Sequence, residues 1–134
     1  MANTVDYRKV KKQEYDGRTF DSKAELQMYL YLKAAEGAGD ITGIEHQVSV
    51  ELLPGPRGMQ RKFRVDFSAV ELKTGSRIYY EVKGFQTDRW QANLMLWRHF
   101  GPGKLIIVRV GWGKLYFDEE VIPDSKYILE KLTK

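Results

Sequence analysis

The sequence predicts an α/β fold built from a helix, a three-stranded antiparallel meander, a second helix and a strand parallel to the meander. Residues 22–36 and 87–100 have helix-forming composition or apolar side chains spaced by three and four. Residues 44–83 contain three segments in which apolar and polar side chains alternate, as in strands with one buried face. Residues 104–110 form a nearly continuous apolar run, and the helix before them favours parallel pairing.

Turn signals separate the predicted elements. Residues 1–20 are polar and basic without a clear period and contain Asp16-Gly17, a turn signal, so we expect a mobile N-terminal arm. The first helix ends in the glycine-rich segment 37–40, where left-handed backbone geometry is favourable. Two further turn signals are a Pro-Gly break at 54–58 and a tight connection at 73–76. The remaining predicted elements are strands at 44–53, 61–72 and 77–83, a helix at 87–100, strands at 104–110 and 115–117, and a short helix at 124–131.

The chain length and the absence of long apolar runs indicate a single domain without a membrane-spanning segment. A chain of 134 residues is typical of one domain, so we expect a single domain over residues 1–134. No apolar run approaches the roughly 20 residues of a membrane span, and the N-terminus lacks a secretory signal pattern. We therefore expect no membrane association and a cytoplasmic location, in the host cytoplasm if the chain is viral.

The supply of metal ligands is restricted. The absence of cysteine excludes disulfides, thiolate ligands and cysteine nucleophiles. Only His46 and His99 provide imidazole, so a metal site would consist mainly of carboxylate and other oxygen ligands. Such ligands favour hard ions, and we expect Mg²⁺, with Mn²⁺ as a substitute.

Basic residues are clustered, and the formal net charge is +4. Clustered Lys and Arg suit a polyanion such as DNA, because each neutralised phosphate releases counterions. The same pattern fits a soluble surface with scattered lysines, so charge alone leaves both interpretations open. The candidates for DNA phosphate contacts are Lys11, Lys12, Arg18, Arg61, Lys62 and Arg64.

Charged residues interrupt two of the predicted strands. Asp66 lies amid apolar residues of the second strand, and Glu81 and Lys83 lie in the third. With a loop of two or four residues, the residue numbers of cross-strand partners add up to an odd number, and all three side chains then share one face. A loop of three or five residues would place Asp66 on the opposite face from the other two. Neighbouring carboxylates raise each other's pKa unless a cation lies between them, so we expect a divalent ion held by Asp66, Glu81 and the Val82 carbonyl. The ion would polarise a phosphoryl oxygen, and Lys83 would orient water or stabilise developing negative charge.

The spacing of these residues resembles a known pattern. Val65-Asp66 followed by Glu81-Val82-Lys83-Gly84 is similar to the bipartite motif of the PD-(D/E)XK nuclease superfamily, with Val65 in place of the proline. The resemblance implies a restriction-endonuclease-like core, whose element order is the one predicted above.

The first helix adds a further candidate. Residues 19–25 resemble the opening of small phage endonucleases and archaeal-type Holliday junction resolvases, which implies that Glu25 is a catalytic residue and metal ligand. Ser22 and Glu25 also form a capping-box pattern, so Glu25 has a structural alternative. Gln47 resembles a polar position near such sites, and His46 is more typical of a hydrogen-bonded core histidine.

These features predict a metal-dependent DNA endonuclease with Asp66, Glu81, Lys83 and Glu25 at its active site. Branched DNA is the expected substrate, as for a Holliday junction resolvase that acts as a C2 homodimer. A DNA-repair, restriction-type or nicking nuclease is an alternative, and so is a catalytically silent DNA-binding accessory module. A tryptophan stripe on the second helix fits the core, but it would also suit a dimer interface or stacking on an unpaired base: Trp90 and Trp97.

Overall fold

The computed structural model describes residues 12–53, 61–83, 88–111 and 113–124. Two helices and seven strands form within these ranges. In chain order they are β1 (Gln13–Tyr15), β2 (Arg18–Phe20), α1 (Lys23–Gly37), β3 (Ile41–Leu53), β4 (Arg61–Glu71), β5 (Arg77–Val82), α2 (Asp88–Phe100), β6 (Leu105–Gly111) and β7 (Lys114–Val121). Lys11, the predicted break at 54–58 and nearly all of the predicted helix at 124–131 lie outside the described residues.

Five of the strands form one mixed sheet, in the order β3-β4-β5-β6-β7. β6 runs parallel to β5, as the intervening helix predicted, and every other neighbouring pair in this sheet is antiparallel. The predicted α/β class is therefore confirmed. β7 is longer than the predicted strand at 115–117. The prediction stopped short because the exposed acidic residues Asp118, Glu119 and Glu120 of this edge strand do not show a strand-like alternation.

Residues 12–20 correct the prediction of a mobile arm. β1 and β2 form an antiparallel hairpin that turns at Asp16 and Gly17. Both turn residues have positive φ, 56° and 72°, which suits a two-residue turn matched to the twist of the strands. The Tyr29 hydroxyl donates to Asp16 Oδ2 over 2.9 Å, and the Phe20 side chain is fully buried. These two contacts attach the hairpin to α1.

Each helix covers one face of the sheet. α1 packs over a cluster that includes Phe67, and α2 packs over a cluster that includes Phe63 and Trp97. Trp97 is fully buried, and its Nε1 donates to the Gly103 carbonyl over 2.8 Å. Trp90 packs beside it against Phe63, so the structure favours the core interpretation of the tryptophan stripe. No helix in the described ranges is long and apolar enough to cross a membrane.

β3 and β4 change faces halfway along their length. The alternation predicted one shared face for four apolar side chains of β4: Phe63, Val65, Phe67 and Ala69. In the structure the first two pack with α2 and the last two with α1, so this prediction is wrong. In β3 the change occurs at Gln47, whose φ of 55° lies in the left-handed region. The ladder pairs on either side place Gln47 opposite Asp66.

Candidate functional site

Two carboxylates occupy the point where β4 and β5 stop pairing. The regular ladder ends at Phe67 and Tyr80. Beyond it, the Val82 N–H donates to Asp66 Oδ2 over 2.8 Å, and the Asp66 N–H donates to Glu81 Oε1 over 3.1 Å. Because buried backbone N–H groups need acceptors, these side chains replace the missing ladder bonds. The backbone therefore fixes the position of both carboxylates.

The structure brings Asp66 and Glu81 together, in the odd-sum register that the sequence suggested. Continuing the observed ladder by one position places the two residues opposite each other. Each carboxylate accepts one of the backbone bonds described above. Since a carboxylate has about four acceptor positions, each retains capacity for another donor or a cation.

The environment of this acidic pair disfavours two negative charges. Burial raises the pKa of Glu81, and the charge of Asp66 and a hydrogen bond to it raise it further. Burial also raises the pKa of Asp66, while its hydrogen bond with Glu81 opposes that rise. The two effects fit an arrangement in which protonated Glu81 donates to ionised Asp66. A divalent cation beside the pair would favour both ionised forms instead.

Glu25 lies at the start of α1, where it is 3% exposed and has protein partners on every polar atom. Its N–H donates to Ser22 Oγ, and its Oε2 accepts from the Asp21 N–H, each over 3.1 Å. Its Oε1 lies 2.5 Å from Nε2 of His46, whose ring packs against two phenylalanine rings. Burial raises the pKa of Glu25, the bond to His46 opposes this, and the charge of Asp66 adds to it. Ser22 therefore caps the helix as predicted, while the Glu25 carboxylate bonds to the residue before the N-cap, and metal binding by Glu25 stays a prediction.

Lys83, the predicted catalytic cation, follows the last residue of β5 and pairs with Asp118 of β7. Its backbone N–H donates to the Val108 carbonyl over 2.6 Å, which anchors this position to β6. Its Nζ lies 3.9 Å from Asp118 Oδ2 in a partly exposed pair. Asp118 also accepts from Arg109 Nε over 3.1 Å. The predicted catalytic cation is therefore held on the β7 side of the sheet.

The acidic pair can be tested against the needs of a metal ion. Within residues 12–53, 61–83, 88–111 and 113–124, no three His, Asp or Glu side chains lie close enough to form a complete metal site. Mg²⁺ commonly takes only one or two protein carboxylates and fills its other positions with water and substrate phosphate oxygens. Asp66 and Glu81 fit that requirement. The Val82 carbonyl remains a predicted ligand, since its own N–H already bonds to Asp66.

The predicted phosphate contacts lie on different surfaces. The Arg18 guanidinium lies 5.4 Å from the centre of the Tyr29 ring. Arg61 Nε donates over 3.1 Å to Oδ1 of Asn93, a buried residue of α2. The other described candidates have exposed side chains: Lys12, Lys62 and Arg64.

Two residues near the acidic pair were not assigned to the site from sequence. His46 bonds to Glu25, and the charge of Asp21 raises the pKa of Asp66 after the larger effect of burial. The sequence carried one usable signal, because His46 is the one polar side chain on an otherwise apolar face of its strand. Asp21 carried no such signal.

The fold and the site define an α/β protein with a partly buried acidic pair at the divergence of two central strands. The chain belongs to the family described as "Protein of unknown function (DUF1064)", which matches residues 5–106. It is also similar to a solved structure described as "Crystal structure of SSO0001", with 18% sequence identity and a TM-score of 0.39. That match covers 81% of this chain and 54% of the other, so this chain spans about half the length of its neighbour. A comparison with curated proteins finds no match.

Proposed function

We propose that this protein is a metal-dependent DNA endonuclease that hydrolyses phosphodiester bonds. Asp66 and Glu81 are its metal ligands, and Lys83 is its catalytic cation. The proposal includes a restriction-endonuclease-like core, which the sequence resemblance implies and which the mixed sheet with a helix on each face is compatible with.

The acidic pair carries this proposal. Accepting the N–H groups of Val82 and Asp66 does not require charge, since neutral oxygen-bearing side chains accept hydrogen bonds as well. Two neighbouring, partly buried carboxylates cost free energy unless a cation offsets them. A strongly raised pKa, as burial and the charge of Asp66 produce at Glu81, is typical of functional sites. A metal-binding role explains why the chain has acids at both positions.

The chemistry assigns a role to each side chain. Mg²⁺, when bound, would supply a Lewis acid for the phosphoryl oxygen and an activated water. Asp66 and Glu81 would hold it on a backbone fixed by their own hydrogen bonds. Exposed pairs such as Lys83 with Asp118 are worth less than about 1 kcal/mol, so Lys83 can turn towards a phosphate at little cost.

Branched DNA is the proposed substrate, because the opening of α1 resembles that of junction-resolving enzymes. Symmetric cleavage of a four-way junction needs two active sites, which a C2 homodimer would provide. A catalytically silent DNA-binding module is the second candidate. The observation that favours it is the pairing of Lys83 with Asp118 instead of with the acidic pair.

Cleavage assays distinguish these functions. Labelled four-way junction, linear duplex and single-stranded DNA are incubated with Mg²⁺, Mn²⁺ or EDTA. Asp66→Asn and Lys83→Ala are compared with Glu45→Gln, an exposed acid on the same sheet. We expect metal-dependent paired cuts in the junction that both site variants lose and the control retains. Cleavage of all three substrates would support a nuclease without specificity for junctions. Metal-independent DNA binding without cleavage would indicate the accessory module.

A further inference from the structure

The outer half of the β3–β4 hairpin has a polar face that neither helix covers. Beyond the change of faces, Phe63 and Val65 of β4 pack against α2, so the residues between and beside them point to the α1 side. The side chains there are exposed, except for Gln47, which is partly buried. We name this surface the hairpin face: Gln47, Ser49, Glu51, Lys62 and Arg64.

We infer that the hairpin face binds the sugar-phosphate backbone of duplex DNA and leads one strand to Asp66. The identity of the ligand rests on the proposed function. The surface itself rests on packing, because Phe63 and Val65 turn towards α2 and leave Lys62 and Arg64 on the α1 side. Asp66 lies at the change of faces and interacts electrostatically with Glu25 at the start of α1. If β4 kept one alternation throughout, the basic residues and the core residue Phe67 would lie on opposite faces.

The dimensions of the face suit a DNA strand. Side chains two residues apart on one face of a strand are separated by about 6.8 Å, so Lys62 to Asp66 spans about 14 Å. A DNA strand carries one phosphate per roughly 3.4 Å of helix axis, so the row matches the axial rise of about four nucleotides. The row is long enough to contact several phosphates and present a further one at the acidic pair.

Charge is unevenly distributed over the face. Arg64 pairs with Ser49, whereas Lys62 pairs with Glu51, an opposite charge on the same face. Among the described residues, neither Lys62 nor Arg64 forms an ion pair within 4.0 Å. We therefore expect Arg64 to contribute more to phosphate binding than Lys62, and Glu51 to weaken it.

The chemistry of the face indicates backbone contacts and no reading of bases. Proteins that bind unpaired strands stack bases on aromatic side chains, and the hairpin face has none. The two tryptophans of α2, Trp90 and Trp97, pack on the other side of the sheet. Contacts from Lys and Arg to phosphate position a duplex without specifying its sequence.

Arg61 separates this inference from a general effect of basic charge. It belongs to the same strand as Lys62 and Arg64, but its guanidinium bonds to Asn93 of α2 on the opposite side. We therefore expect Lys62 and Arg64 to contribute to DNA binding and Arg61 not to contribute.

The test is equilibrium binding of a fluorescently labelled DNA duplex, measured by anisotropy in EDTA over a series of salt concentrations. The double variant Lys62→Gln with Arg64→Gln is compared with Lys73→Gln with Lys104→Gln, which removes two charges at the other end of the sheet. Each lost phosphate contact lowers the salt slope by about 0.9, so the double variant should lose about 1.8. From 50 to 200 mM salt, wild type should therefore lose about tenfold more affinity than the double variant does.

A variant with the opposite sign sharpens the test. Glu51→Gln should tighten binding, while Glu45→Gln, which removes an acid on the other face of the same strand, should not. Circular dichroism checks that each variant is folded. The inference is overturned if both double variants change the slope equally, or if the protein prefers single strands or one base sequence. If the protein cleaves DNA but the double variant Lys62→Gln with Arg64→Gln keeps the wild-type salt slope, the hairpin face does not bind DNA and the nuclease proposal stands. If the double variant lowers the slope but the protein does not cleave DNA, the hairpin face binds DNA and the nuclease proposal fails.

Discussion

Replacing Glu81 by glutamine is expected to stabilise the metal-free protein, and the size of the effect should grow with pH. Glutamine keeps an oxygen for the Asp66 N–H and provides an N–H in place of the proton that Glu81 donates to Asp66. The variant therefore removes the charge and retains the hydrogen bonds. In the wild type, burial and the charge of Asp66 raise the pKa of Glu81 in the folded state.

The sign and magnitude follow from linkage. An acid whose pKa is higher in the folded chain contributes stability below its unfolded value, near pH 4.5 for Glu, and loses it as pH rises. Three pH units at about 1.4 kcal/mol each set an upper limit of about 4 kcal/mol at pH 7.5. Local relaxation and water entry reduce this to about 1–3 kcal/mol.

Thermal and urea unfolding in EDTA, between pH 5 and pH 8, measures this difference. For a chain of this size we expect an increase in Tm of about 3–5 °C per kcal/mol, small at pH 5 and larger at pH 8. Glu45→Gln should show no such dependence, because Glu45 is exposed. The reasoning is refuted if Glu81→Gln is less stable than wild type at pH 8, or if the difference does not change with pH.

Other perturbations test the surroundings of the site. His46→Leu leaves the buried Glu25 carboxylate without its partner and should lower the free energy of unfolding by about 2–4 kcal/mol in urea titrations; a loss below about 0.5 kcal/mol would show that the pair is not structural. Gln47→Gly should raise the free energy of unfolding by about 1 kcal/mol, because glycine adopts positive φ without strain, whereas a decrease would show that the side chain outweighs the backbone. Gly103→Ala should lower Tm, since its Cβ would lie 2.9 Å from the Arg77 carbonyl oxygen, at a cost of about 1–3 kcal/mol; an unchanged Tm would mean that the turn moves freely.

Periodicity predicted the parts of the fold in which one pattern runs through a whole element. The two helices, the positions of the central strands and the parallel return of β6 belong to this group, whereas the faces of β3 and β4 do not. The three-residue strands β1 and β2 are too short to show a period, so the Asp16-Gly17 turn was recognised without its hairpin. The charged edge strand β7 was underestimated for a related reason, because its exposed acids resemble a loop.

The part of the candidate site that depends on residue spacing in adjacent strands was predictable from the sequence. The odd-sum register brought Asp66 and Glu81 together because it depends only on two adjacent strands and their turn. The change of faces at Gln47 was not predictable, since a left-handed residue in a strand leaves no mark on the alternation. The pairing of Lys83 with Asp118 depends on the packing of β7 next to β6, which no local pattern records.

The Mg²⁺-dependent cleavage rate of Glu81→Gln shows whether the acidic pair supports metal-dependent cleavage of DNA. This variant is expected to be at least as stable as wild type, so unfolding cannot explain a loss of activity. We expect wild type to cleave in Mg²⁺ but not in EDTA. The variant should be at least about 100-fold slower, because it loses a carboxylate ligand of the metal, and changes even to the hydrogen-bond partners of metal ligands cost about 10–100-fold. Cleavage by the variant at the wild-type rate, or no cleavage by wild type on any DNA substrate, would show that the acidic pair does not support metal-dependent cleavage.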